Sequence, residues 1–301
     1  MGSSPLLFEA VPPPRRATST SVDHLLSRLA DHLEKLPRVA AINVPEVLDE
    51  NHMGRPFYRA MDARDFAVRV QEHTSCDVVV NKVVVHSPSG GAFVRWARES
   101  IQRHEIHNMV LVGGSSSLRR YPGPGVIEAA GMISHLFRTL DVEDGLVGSI
   151  AIPSRGGEAE RLFSKTLAGC RFATTQILFD TESLQGLLLA YERLCRDFDV
   201  RPATIVISVA PISDIHDLEF VRWLGAEVPE VVEDRLFHVG AEAAKNQSIQ
   251  LAVGLWKEIL AFRRKHRLSV PLGLNVEQVS HHNLDAAIDM ASRLSATLSA
   301  D

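Results

Sequence analysis

The sequence predicts an α/β fold, and specifically a closed (β/α)₈ TIM barrel. Short β-rich runs alternate with amphipathic segments of helical period along the chain. The runs are mostly continuous apolar stretches rather than strict alternations, the pattern of parallel strands covered on both faces. The chain of 301 residues shows no compositional break, and barrels of this length commonly form one domain. A doubly wound open sheet is the alternative. It usually carries a Gly-rich turn after its first strand, whereas here Pro12-Pro13-Pro14-Arg15-Arg16 follows. The expectation is therefore a single barrel domain over residues 1–301, with an extra helical segment around 211–269.

The predicted strands are LLFEA (6–10), VAAINV (39–44), CDVVVNKVVV (76–85), NMVLVGG (108–114), GSIAIP (148–153), FATTQILF (172–179), ATIVISVA (203–210) and PLGLNV (271–276). Helices are expected at 21–36, 92–104, 182–198 and 281–294; in the first, Leu25, Leu26, Leu29, Leu33 and Leu36 recur at steps of three and four. The stretch 211–269 is longer than one crossover needs. A short helix at 214–224, a second started by Pro229, and a long one through Leu251, Leu255, Ile259 and Phe262 account for it.

Composition narrows the function. A net charge of −5 argues against a nucleic-acid partner, which needs a basic surface. The apolar run at 77–87 is too short to span a bilayer, and the N-terminus lacks a signal-peptide pattern. Cys76, Cys170 and Cys195 form no paired motif, so a reducing, cytoplasmic setting is expected, without membrane association. No metal is expected: HExxH-type spacing is absent, and the adjacent His281 and His282 would diverge by about 100° on a helix. A G-x-S-x-G elbow is also missing. Whether the chain self-associates is left open, because Trp223, Leu224 and Trp256 suit either an interface or a core.

Catalytic groups of such barrels gather at the C-terminal strand ends. Glu9 ends the first strand among apolar neighbours, where burial would raise its pKa and suit it to act as a general acid. The plainer reading pairs it with Arg15 or Arg16. Other strand ends present Asn43, His86, the stretch Gly113-Gly114-Ser115-Ser116-Ser117, Gln176, Asp180, and Asn275 with Glu277 and Gln278 beyond. The Gly-Ser stretch fits a phosphate cradle or a plain loop. Gln176, an amide inside an apolar run, either bonds a neighbouring strand or faces a ligand. Asp180 and Thr181 read as a helix N-cap.

These strand ends resemble the methylenetetrahydrofolate reductase family. The resemblance rests on Phe8-Glu9 followed by Pro12-Pro13, on NMVLVGG, on TLAGCRFATTQILFD (166–180) and on APISDIHDLEFVRWLGAEVPE (210–230). It implies a folate substrate, a role in one-carbon metabolism and methionine biosynthesis, Glu9 as proton donor, and Gln176 as the amide touching pterin and nicotinamide. By the same resemblance, Ser115 and Asn275 are assigned to folate, and Asn43, His86, Gly113 and Gly114 to the nucleotide. Family members typically relay hydride through FAD. Here the Arg-Gly-Asp ending of the fourth strand is replaced by Gly113-Gly114-Ser115, and the tyrosine before the fifth-strand proline by Ile152. The flavin-gripping helix is shortened to PSRGGEAERLFSKTLAG (153–169), with Glu158-Ala159 kept and only Lys165 matching its basic pair. The expectation is thus the flavin-independent branch, with NADH (or NADPH) passing hydride directly to the substrate. An FAD-containing reductase, or a barrel that binds folate or nucleotide without reducing it, stands as the alternative.

Overall fold

The computed structural model describes residues 4–36, 38–51, 55–116, 119–238 and 240–298. Eight parallel strands close into a barrel: β1 (Leu6–Glu9), β2 (Val39–Val44), β3 (Val78–Val83), β4 (Asn108–Val112), β5 (Leu146–Ala151), β6 (Phe172–Thr175), β7 (Thr204–Val209) and β8 (Leu272–Val276). Each pairs with its chain neighbours, and β8 closes on β1 through Leu6↔Leu274, Leu7↔Asn275 and Phe8↔Val276. All eight predicted runs overlap a barrel strand, and the fifth strand starts two residues before its run. The predicted ends are too long at β4 and β6, so Gly113, Gly114 and Gln176 lie just past their strands.

The outer ring is α1 (Ser19–Leu33), α2 (Ala63–Thr74), α3 (Gly90–His104), α4 (Val126–Thr139), α5 (Glu158–Leu167), α6 (Glu182–Asp197), α7 (Ile215–Trp223), α8 (Glu230–Phe237), α9 (Ala241–His266) and α10 (Leu284–Leu298). Their starts follow local chemistry. Thr18, Asp62, Ser89 and Asp214 each accept a backbone N–H with their side chain at an N-cap. Asp180 accepts from Glu182 N, while Thr181 is the cap position of α6 and makes no side-chain cap bond there.

Three apolar clusters hold the architecture. One lies between the strands and the outer helices and includes Phe8, Phe66, Phe93 and Trp256, all 0% exposed. Trp256 is therefore core, whereas Trp223 is 64% exposed and stacks on Phe220. A second fills the barrel interior with Leu7, Ala41, Val79, Val110, Phe172 and Val206. Phe172 lies so close to β5 that a Cβ on Gly148 would sit 2.4 Å from its ring, so no side chain fits there. The third joins Ile177, Phe179, Ala210 and Val279 to Leu218, Val221 and Leu236 of α7 and α8. These two helices thus pack over the C-terminal ends of β6 to β8.

The sequence reading placed no bounds on α2 or α4, and it held no sign of a further element. The polar stretch after β2 contains an antiparallel hairpin, Leu48–Glu50 with Pro56–Tyr58. Its side of the barrel mouth is tied to β1's continuation by an isolated bridge between Pro14 and Ala60. Among the described residues, no helix is long and apolar enough to cross a membrane.

Candidate active site at the barrel mouth

Strand alternation decides which side chains point inward. Since Leu7, Ala41, Val79 and Val206 fill the interior, the residues two steps on, Glu9, Asn43, Asn81 and Ser208, share that inward face. On β8 the same rule carries Gly273 to Asn275 and then to Glu277. Apolar packing below therefore gives way to a polar lining at the C-terminal end.

Glu9 is 8% exposed, and Asn43 beside it is 2% exposed. Asn43 Nδ2 donates to Glu9 Oε2 at 3.2 Å across the Glu9↔Asn43 register pair. Burial, reinforced by the nearby negative charge of Glu277 and only partly opposed by the Asn43 bond, raises the Glu9 pKa well above its ordinary value. Neither Arg15 nor Arg16 makes an ion pair with Glu9 among the described residues, so the plainer reading does not hold. Glu277, half-buried, is pushed up to about 7 by desolvation, against hydrogen bonds from Ser208 and Asn275. Asn275 is fully buried and donates through Nδ2 to Ser208 Oγ at 3.2 Å and to Glu277 Oε1 at 3.3 Å.

The acceptor oxygens Asn43 Oδ1, Asn81 Oδ1 and Asn275 Oδ1 are buried without a hydrogen-bond partner. Unpaired buried amides are costly, and acceptors of this kind are satisfied by water or a polar ligand, which makes the mouth a candidate binding site. A protonated Glu9 supplies an O–H that one such oxygen can accept.

His86 and Ser115 meet around a residue the sequence reading passed over. Glu50, on the hairpin, accepts from His86 Nε2 at 2.9 Å, from Ser115 Oγ at 2.8 Å and from Arg119 Nη1 at 2.8 Å. Burial alone would raise Glu50, but the bonds from Ser115 and His86 and the charge of His86 outweigh it, leaving its pKa below the ordinary value. Tyr121 joins the group, its hydroxyl 3.3 Å from Glu50 Oε2 and its ring edge-on to His86. The same ring lies against Gly114, where a Cβ would fall 2.4 Å from it. Gly114 thus makes room for tyrosine in this structure, and Gly113 faces Val126. Ser117, the end of the predicted cradle, lies outside the described residues.

Gln176 is placed apart from this group. Its Nε2 donates to Leu224 O at 3.0 Å, and its Oε1 accepts from Ile177 N at 2.9 Å, which anchors the α7 end to β6. Lys165 is turned inward. It is 7% exposed, donates to Ile150 O at 2.7 Å, and lies 3.4 Å from the buried Glu158. Burial lowers its pKa, with Glu158 offsetting part of the effect.

Glu277, Glu50 and Tyr121 are the residues that sequence reasoning missed as partners. The signal for Glu277 was present, because Gly273, Asn275 and Glu277 fall on one face of β8 at period two. Glu50 had none, since its position depends on a hairpin within a stretch that reads as loop. A cavity of about 710 Å³ opens at the opposite, N-terminal end beside Leu7, Phe172 and Arg201. Sites of this fold form at the C-terminal end, and the paired carboxylates lie there with Asn43, Asn81 and Asn275, whereas the unpaired Asn108 Oδ1 lies at the N-terminal cavity.

The two carboxyls make a stability prediction. Glu277 has a folded value of about 7 against an ordinary 4.5. A carboxyl raised in this way contributes stability while protonated and loses it as pH climbs past the folded value. Glu277→Gln is expected to unfold at higher denaturant than wild type at about pH 8, with the difference vanishing near about pH 4.5. A difference that grows toward acid pH would contradict the assigned burial.

Comparison with known proteins agrees with this picture at a coarse level. The family model for methylenetetrahydrofolate reductase matches residues 150–268, from the end of β5 through α9. Glu9 lies outside that stretch and Gln176 within it. No curated protein matches the chain. Among solved structures, an uncharacterized protein from Clostridium thermocellum that binds two copies of 5-methyl-5,6,7,8-tetrahydrofolic acid is similar in fold. It is 20% identical, with a TM-score of 0.78 over 98% of this chain and 96% of that one.

Proposed function

We propose that this barrel reduces 5,10-methylenetetrahydrofolate to 5-methyltetrahydrofolate by direct hydride transfer from NADH or NADPH, with Glu9 as the proton donor. The observation that carries the reading is a buried carboxyl, its pKa raised by burial and the charge of Glu277, beside unpaired amide oxygens at the barrel mouth. The substrate's methylene carbon bridges two ring nitrogens. Protonating one breaks its bond to that carbon and leaves an iminium, which accepts hydride to become the methyl group. A neutral acid performs the first step, and its position inside a confined mouth supplies proximity for the second. Asn43, Asn81 and Asn275 offer acceptors to the N–H groups of a pterin. The family match and the folate bound by the similar structure support the substrate class.

Two observations support leaving flavin out. Lys165, the one basic residue matching the flavin-phosphate pair, is committed to Ile150 O and Glu158. The Gly114 backbone, where a cofactor could approach, is covered by Tyr121. Both observations support a site that works without FAD, and no step is routed through one. Gln176 would need to release Leu224 O or Ile177 N to serve a ligand with either group.

The test is an assay on purified protein. A colourless preparation should oxidise NADH only when methylenetetrahydrofolate is added, with intersecting double-reciprocal lines. A stoichiometric flavin band, or parallel lines, would indicate a relay cofactor. Folate binding without any NADH or NADPH oxidation would leave a binding protein.

A further inference from the structure

We propose that Glu277 is a positioning residue for the reaction, forming with Glu9 a carboxyl dyad that shares one proton across β1 and β8. The inference deepens the reading above and rests on it for the identity of the acid. Its geometry is independent of that reading. Phe8 pairs with Val276, so Glu9 and Glu277 follow one step further along the same register, on strands separated by about 4.8 Å. Both side chains belong to the inward face.

Each carboxyl is fixed from its own side. Asn43 of β2 donates to Glu9, and Asn275 donates to Glu277 while also donating to Ser208 of β7. Beyond β8, Gln278 is 3% exposed and accepts from Val11 N, which ties the two strand exits together just past the pair.

No cation neutralises the pair among the described residues. The charged groups on the adjoining elements are engaged elsewhere. Glu46 is matched by Lys82, and Glu50 by His86 and Arg119. Asp217 and Asn283, on the α7 and α10 side, bond one another and Ser213. Two carboxylates held together without a counter-ion cannot both ionise at neutral pH, so one proton stays on the pair. Glu9 is the more enclosed of the two and Glu277 the more exposed. The charge therefore resides at Glu277, where water reaches it, and the proton on Glu9, where the substrate nitrogen would lie. After Glu9 gives up its proton, Glu277 is the side from which one returns.

The measurement is the pH dependence of Glu277→Gln. The neutral amide removes the charge that opposes Glu9 ionisation, so the alkaline limb of kcat should move down by about one to two pH units. Turnover at about pH 8 should fall by ten-fold or more while that at about pH 6 changes little. Glu277→Asp, which keeps the charge, should restore the wild-type limb. A merely structural role would lower turnover at every pH without moving the limb, and that result would overturn the proposal.

Infrared titration of the Glu9 carboxyl, taken as the band lost in Glu9→Gln, separates the dyad from the reductase reading. A downward shift of that band's midpoint in Glu277→Gln supports the dyad even where the wild type proves unable to reduce folate. An unchanged midpoint refutes it even where reduction is observed.

Discussion

Glu9→Gln is expected to fold as the wild type does, to bind nucleotide, and to lose about 10²–10⁴-fold of turnover, the range for removing a positioned general acid. The fold should survive because the amide is nearly isosteric and finds a partner waiting. Asn43 Oδ1 is unpaired in the structure, and a Gln side chain at position 9 can donate to it. The loss should appear in kcat, since the proton moves only as the substrate ring opens. Single-turnover mixing with NADH and methylenetetrahydrofolate, alongside equilibrium nucleotide binding, reads both quantities. Near-wild-type turnover would remove Glu9 from the mechanism, and lost nucleotide binding would mean the variant has disturbed the mouth as a whole.

The second large effect concerns stability, and it arises behind the fifth strand. Glu158 is 2% exposed at the start of α5. It accepts from Ile152 N at 3.3 Å, from Arg155 Nε at 2.7 Å, and from Lys165 Nζ at 3.4 Å. Glu158→Ala would leave the Lys165 ammonium buried with only Ile150 O beside it. Breaking a buried pair from one side costs about 3–5 kcal/mol, because the remaining charge keeps its desolvation penalty. Urea denaturation should show that drop at neutral pH. Glu158→Ala with Lys165→Met should recover most of it, since no uncompensated charge then remains. A drop below about 1 kcal/mol in the single variant would mean that Lys165 reaches water or sheds its proton at little expense.

The same cluster explains why a matching residue type need not imply a matching role. Lys165 keeps the charge that the family resemblance asks for, yet the helix it sits on points it inward to Glu158 and Ile150 O. Gly114 is a similar case. A glycine after a strand suggests a cradle, but here it leaves space for the Tyr121 ring.

What the sequence determined by itself was the barrel and the strand-end position of Glu9. Alternating apolar runs and amphipathic segments leave few ways to cover both faces of every strand, and closure into a barrel satisfies all of them. Glu9 was legible because it ends a strand within a local apolar context that spacing alone reveals. Only the tertiary structure decided the acid's surroundings. Asn43 and Glu277 lie far apart in the chain, within β2 and just past β8, and meet Glu9 because parallel register and ring closure align them, while Asn275 holds Glu277. Glu50 reaches His86, Ser115 and Tyr121 only through a hairpin folded over the mouth. Local periodicity reports which face of its own strand a side chain takes. It carries no information about which neighbour a closed sheet will bring beside it, and charge regulation depends on that neighbour.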